Sequence, residues 1–156
     1  LILSKYPICE EKSFKLSALK EGDYIRSFGY VKVSKEGKEF YFATTHLDHK
    51  YEDAARLLQI NEILSHVEQL DLPVILGGDL NSRRDSATMD AFQRYFTVNC
   101  LSDGAPWTVP TPNPTYACDW LIYAPNKAFV VKAYNVCYWA DKESDHFPVT
   151  ATYVIR

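Results

Sequence analysis

The sequence predicts an α/β fold of the α+β kind, with two packed sheets carrying helices on the outside. Three observations lead there. Strand-like runs follow one another over long stretches without a helix between them. One amphipathic helical segment interrupts them. A short, continuously apolar run, Val74-Ile75-Leu76, comes soon after that helix, as expected of a strand covered on both faces.

The elements read as follows. Residues 24–33 alternate loosely and lead through Lys35-Glu36-Gly37-Lys38 into Phe40-Tyr41-Phe42-Ala43-Thr44, a β-hairpin with Gly37 in its turn. Residues 52–70 read as a helix, because Leu57, Ile60, Leu64 and Val67 recur at spacings of three and four and share one face. Pro73 stops it. Asp85 or Ser86 is placed to cap a short helix running to Tyr95. Pro106, Pro110, Pro112 and Pro114 mark a stiff, irregular loop. Residues 120–123, 129–138 and 149–155 read as strands. There is no repeat and no low-complexity tract, so residues 1–156 read as one unit.

Composition narrows the function classes. Hydrophobic residues make up 47% of the 156, with 3 Trp, 11 Tyr and 8 Phe, enough to build a core and to exclude disorder. The net charge of −3, with no long Lys or Arg run, disfavours a general nucleic-acid binder, whose affinity rests on phosphate contacts. Cys9, Cys100, Cys118 and Cys137 form no CxxC pair and read as buried apolar thiols, although an even count also permits disulfides. No stretch is apolar enough for a membrane-spanning helix. The chain opens on Leu1-Ile2-Leu3, which reads as a strand continuing from upstream, and the compartment stays open.

Four stretches carry polar groups suited to chemistry. In Gly77-Gly78-Asp79-Leu80-Asn81, Asp79 and Asn81 are two apart at the end of a buried strand and would project together. The carboxylate can take a proton from water and the carboxamide can donate to an oxyanion; local turn capping is the plainer reading of the same pair. Ser144-Asp145-His146-Phe147-Pro148-Val149 precedes the last strand, and its Asp–His pair suits a metal or a phosphate as well as a turn. In Thr45-His46-Leu47-Asp48, the two-residue period puts His46 and Asp48 on one face, whereas His49 and Lys50 read as solvent-exposed. Asp119 opens the apolar run Trp120-Leu121-Ile122-Tyr123; it marks a strand boundary or holds an imidazole in one tautomer.

Together these stretches resemble the endonuclease/exonuclease/phosphatase superfamily. The order is Thr-His-Leu at 45–47, Gly-Asp-Leu-Asn at 78–81, Asp119 before an apolar strand, and Ser-Asp-His-x-Pro-Val at 144–149. Ser4-Lys5-Tyr6-Pro7-Ile8 also resembles that family's Ser-Arg-Tyr-Pro-Ile strand. The resemblance implies a four-layer αββα sandwich of two mostly antiparallel sheets, with the site at one end of the sheets. It implies hydrolysis of phosphate esters with Mg²⁺ or Mn²⁺. Asp145 would help hold the metal, Asp79 would orient and deprotonate water, and Asn81 and His46 would donate to phosphate oxygens. His146, held by Asp119, would stabilise charge on the phosphoryl group.

The family's early Asn and metal-binding Glu are expected upstream. This chain is therefore read as the C-terminal part of the domain, weakly active or inactive by itself, with the missing N-terminal part as its partner. Ser82-Arg83-Arg84-Asp85-Ser86 resembles bacterial metal-dependent hydrolases and the deadenylase branch more than inositol phosphatases. Arg83 and Arg84 suit either phosphate contact or a solvated loop, and Trp107 and Tyr116 either stacking on substrate or packing. A small or lipid-like phosphate ester is the leading substrate class; a nuclease or deadenylase, and a non-catalytic binding module, are the alternatives.

Overall fold

The computed structural model describes residues 1–51, 53–98 and 106–156. β1 (Ile8–Leu16), β2 (Arg26–Lys35) and β3 (Lys38–His46) form an antiparallel meander. The β2–β3 turn is Glu36-Gly37, both at positive φ (51° and 79°), the twist that a two-residue hairpin needs. α1 (Asp53–Val67) then carries the chain across to β4 (Val74–Asp79), which pairs parallel with β3. Parallel neighbours need such a crossover. α2 (Ala87–Gln93) follows, with Ser86 at its N-cap accepting from the Met89 N–H at 3.2 Å. β5 (Thr97–Val98) and β6 (Asp119–Ala124) complete a six-stranded sheet of order β1-β2-β3-β4-β6-β5. β7 (Phe129–Val136) and β8 (Val149–Ile155) pair as a separate two-stranded sheet.

Strand alternation sorts the core into two layers. Tyr41, Ala43, Val74, Leu76, Trp120 and Ile122 join Ile60, Ile63 and Val67 of α1 and Met89 and Phe92 of α2 in one cluster. Ile75 and Tyr123, with Phe40, Phe42 and Leu121, face the other way and meet Phe129, Val131, Tyr153 and Ile155 of the second sheet. β4 is thus covered on both faces, as its unbroken apolar run predicts. Both longer helices lie in the cluster opposite the second sheet. The described residues therefore supply three layers of the expected four: helices, large sheet, small sheet. Among the described residues no helix is long and apolar enough to cross a membrane.

Some expectations needed correction. Residues 1–7 form no strand, and Leu1 and Leu3 are exposed; the first strand begins at Ile8. β1 was illegible because it is an edge strand whose Glu10-Glu11-Lys12 break the apolar alternation, as charges on edges do. α1 ends at Val67, and its last residues continue only as turns, Leu70 N–H donating to Val67 O at 3.0 Å. β7 stops at Val136, two residues early, although Cys137 N–H still reaches Pro148 O at 2.9 Å. Of the cysteines, Cys9 is exposed, Cys137 intermediate and Cys118 buried, and all three are free; Cys100 lies outside the described residues.

The buried side of α1 also includes polar residues, Arg56 and Gln59. Arg56 donates to Asp48 O at 3.1 Å, and Gln59 accepts from the Asp48 N–H at 2.9 Å. Leu57 and Leu64 are only partly buried against the cluster. The helix thereby fixes the loop leaving β3. Its first residue, Asp53, accepts from Thr88 N–H at 3.2 Å and from the Thr88 hydroxyl, and pairs with Arg56 at 3.6 Å. Burial opposes the Asp53 charge, but the Thr88 hydrogen bonds and Arg56 outweigh it and lower its pKa. Asp53→Ala leaves the buried Thr88 hydroxyl without its acceptor and should cost about 1–3 kcal/mol in urea unfolding at pH 7. The folded pKa is depressed, so this stability is present above the unfolded carboxylate value of about 3.9 and is lost as pH falls through the lower folded value. A mutant midpoint equal to wild type at pH 7 would refute a stabilising role for the Asp53–Thr88 contacts.

Candidate active site

Pairing register builds the site. In the β3–β4 ladder His46 lies beside Asp79, and in the β4–β6 ladder Asp79 lies beside Asp119. Three residues far apart in sequence thus stand in one row across three adjacent strands. Parity decides which way they face. Phe42, Ile75 and Leu121 pack toward the second sheet, and His46, Asp79 and Asp119 are each an even number of residues away from them. The turn before β8 lies on that side and brings in His146.

Hydrogen bonds hold the row. Leu47 N–H donates to Asp79 O at 3.0 Å and Leu80 N–H to Cys118 O at 2.8 Å, so pairing continues past the strand ends. His46 Nε2 is 3.4 Å from Asp79 Oδ2. His146 Nδ1 is 2.9 Å from Asp119 Oδ2, an arrangement in which Nδ1 carries a proton and Nε2 is left for the cleft. Asp119 Oδ2 also accepts from the buried Thr108 hydroxyl at 2.6 Å. A cavity of about 400 Å³ opens here, lined by Asp79, Asp119, Ser144, His146, Phe42 and Gly78, among others. A larger groove, about 570 Å³, runs from His46 along β1–β3.

The two histidines are tuned in opposite directions. Burial disfavours the charged form of His146, but the Asp119 hydrogen bond and the charges of Asp119, Asp79 and Asp145 prevail and raise its pKa. His46 is half-exposed, and there partial desolvation leads, aided by Arg26 and His146, and overcomes Asp79 and Asp119, so its pKa is lowered. Relative to a free imidazole, the first is biased toward the imidazolium and the second toward the neutral ring.

Other sequence-predicted residues fall as follows. Asn81 is not on the strand: β4 ends at Asp79 and Asn81 sits at φ 47°. Its N–H donates to Asp79 Oδ1 at 2.8 Å and its amide Nδ2 to Leu47 O at 2.9 Å, so the two-residue strand period does not place it. The amide retains a second N–H. Asp48 does not share a face with His46, because β3 ends at His46; Asp48 is buried and accepts from Lys50 N–H at 2.6 Å. His49 is exposed, while Lys50 is partly covered and pairs with Asp23 at 3.2 Å. Asp145 is exposed, and its backbone oxygen accepts from Thr111 N–H at 3.0 Å. Arg83 stacks on the Tyr116 ring at 4.8 Å, so the two candidate substrate contacts meet each other. Trp107 is 52% exposed, which rules out core packing.

Sequence reasoning missed two supports. Thr108 bonds Asp119, and its backbone oxygen accepts from Phe147 N–H at 2.7 Å. Thr111 Oγ1 donates to Ser144 O at 2.7 Å, so the Pro-rich loop clamps the Ser-Asp-His turn. The prolines signalled stiffness without showing what it holds. Cys118 is buried as expected, but its surroundings are polar, with Sγ 3.4 Å from Asp119 Oδ2 and 3.7 Å from His146 Nδ1. Asp79, Cys118, Asp119 and His146 each offer a metal-capable atom, all within 4.8 Å of one another.

Known proteins share the sequence pattern and the fold. The model of the endonuclease/exonuclease/phosphatase family matches residues 1–146. The sphingomyelinase C 1 of Leptospira interrogans is 34% identical, covering 71% of this chain and 21% of that protein. The chain thus spans about a fifth of that relative's length. A family protein from Bacteroides thetaiotaomicron superposes with a TM-score of 0.80 at 24% identity, covering 97% of this chain and 64% of that one. A mannosyl-6-phosphatase of the same organism superposes with a TM-score of 0.72 at 25% identity, covering 96% and 67%.

Proposed function

The chain belongs to the endonuclease/exonuclease/phosphatase family, and on that premise we propose that it carries the hydrolytic half of a divalent-metal-dependent phosphoesterase site. The observation that supports this most is the row of His46, Asp79 and Asp119 with His146 bonded to Asp119 at 2.9 Å. A base and a held imidazole line one cavity of a size to admit a phosphate group, and a second imidazole, His46, stands beside the base at 3.4 Å, at the end of the neighbouring groove.

In this reading Asp79 orients the attacking water and takes its proton. Its geometry is held by the Asn81 N–H and by β3 and β6 on either side. Asp119 fixes His146 with Nε2 outward, where it stabilises charge on a non-bridging phosphoryl oxygen. His46 and the second amide hydrogen of Asn81 are further donors to phosphate. The exposed carboxylate of Asp145 would hold Mg²⁺ or Mn²⁺, together with water and the acidic residue expected upstream. Its oxygen donors are of the hard kind such an ion takes. When bound, the ion supplies neutralisation of phosphoryl charge.

The substrate class favoured is a small or lipid-like phosphate ester. The relatives named sphingomyelinase C and mannosyl-6-phosphatase support it, as does a net charge of −3, which gives little attraction for a polyanion. The test is turnover of bis-p-nitrophenyl phosphate and p-nitrophenyl phosphate by the full-length protein and by this chain, with Mg²⁺, Mn²⁺ or EDTA. Metal-dependent turnover by the full-length protein, weaker in this chain, is expected. Turnover unaffected by EDTA, or none with either ion, would overturn the reading.

A further inference from the structure

We infer that the cluster of Asp79, Cys118, Asp119 and His146 is a binding site for a zinc-like divalent cation, and that its occupation shuts off hydrolysis at the site. The second part rests on the phosphoesterase reading; the first does not.

The donor set carries the argument. It holds one thiol sulfur, one imidazole nitrogen and two carboxylates, with ligand atoms all within 4.8 Å of one another. Such a mixture does not suit Mg²⁺, which demands oxygen ligands in an octahedron. Sulfur with nitrogen in a four-donor set selects zinc or a similar borderline ion. Ligand atoms in a tetrahedral zinc site lie about 3.3–3.8 Å apart, given Zn–S near 2.3 Å and Zn–N near 2.0 Å. Cys118 Sγ already lies 3.4 Å from Asp119 Oδ2 and 3.7 Å from His146 Nδ1. The Nδ1–Oδ2 pair, at 2.9 Å, has to open, and Asp79, within 4.8 Å of the other ligand atoms, completes the set. The sulfur is buried but belongs to the wall of a site whose other three members line the open cavity, so an ion has a way in.

The proton balance is simple. The thiol releases its proton to solvent and gives a sulfur lone pair to the ion. The ring releases its Nδ1 proton, to solvent from the imidazolium or to Nε2 from the neutral ring, gives the Nδ1 lone pair to the ion and is left with one proton on Nε2. Two carboxylates and a thiolate then surround the dication, which offsets two of their three negative charges. The cost to hydrolysis is direct. Asp79 is no longer free to take a proton from water, and His146 is no longer held by Asp119.

Cobalt(II) is the probe, because a cobalt–thiolate bond gives an intense near-ultraviolet charge-transfer band and a tetrahedral ion gives strong visible bands. Titrating the purified protein with Co²⁺ should produce both, and Zn²⁺ should bleach them. Cys118→Ser and Cys118→Ala, each checked for native circular dichroism, should lose the charge-transfer band. Zinc affinity, measured by competition with a chromophoric chelator, should fall at least about tenfold, as for loss of a metal-site partner. In parallel, Zn²⁺ should inhibit Mg²⁺-supported hydrolysis of bis-p-nitrophenyl phosphate, and the Cys118 variants should need at least about ten times more zinc for half-inhibition. No charge-transfer band in the wild type, or one that survives both replacements, overturns the site. The band without any metal-supported turnover overturns the phosphoesterase reading and the inhibition, and leaves the zinc site standing.

Discussion

Asp79→Asn is expected to lower metal-supported turnover by about 10²–10⁴-fold, the range that a positioned general base contributes. The substitution keeps size and shape. Its amide oxygen can still accept the Asn81 N–H that Asp79 Oδ1 accepts at 2.8 Å, so the loop after β4 should stay in place. What it removes is the group that takes a proton from water. Unfolding by urea should therefore change little, within about 1 kcal/mol, because the ion-pair contact it weakens, to His46 at 3.4 Å, is half-exposed and that ring is biased toward its neutral form. A strong loss of turnover with an unchanged urea midpoint separates a chemical role from a structural one. Turnover within tenfold of wild type would remove Asp79 from the mechanism and return the Gly-Gly-Asp-Leu-Asn segment to a capped turn.

Gly78→Ala should have the largest effect on stability of any single added methyl group in the sheet. A Cβ at Gly78 would sit 1.9 Å from the Thr45 carbonyl oxygen, and the residue lies at φ +156°, which side chains rarely adopt. Thr45 and Gly78 are partners in the parallel β3–β4 ladder, so no side chain can swing aside; the strands themselves must part. We expect a loss of about 4 kcal/mol, an overpacked contact plus a disfavoured backbone region. His46 and Asp79 are the next residues on each strand, so the same shift should also separate them and reduce turnover. Gly77→Ala is the internal control. Its Cβ would meet the flexible end of Leu121 at 2.7 Å, which can rotate away, and should cost about 1 kcal/mol. Similar urea midpoints for the two variants would show that the Thr45 contact does not constrain the strands.

Much of this fold was legible in the residues because local physics wrote it there. The hairpin at Glu36-Gly37, the helix with Ile60 and Val67 on its apolar face, the doubly covered Val74-Ile75-Leu76 and the last strand all follow from periodicity and turn chemistry. Four of the polar stretches were found by their residue types and positions at strand ends, and the structure brings His46, Asp79, Asp119 and His146 together. Where the reading failed, a local rule was carried past the end of its element. The two-residue period held for β3 only as far as His46, so Asp48 turned inward to cap a loop. It held for β4 only as far as Asp79, so Asn81 was placed by its own left-handed turn. β1 was lost because an edge strand needs charge more than alternation.

By itself, then, the sequence determined both longer helices, most of the strands apart from β1 and β5, and which side chains had chemistry to offer. Only the tertiary structure decided that three of those side chains share one row, that Thr108 holds Asp119, and that the Cys118 thiol points at a carboxylate and an imidazole rather than at hydrocarbon. The reason is that a strand's own residues state which way each side chain alternates but carry no record of level. Level is set by the register between strands, and register comes from hydrogen bonds between segments more than thirty residues apart.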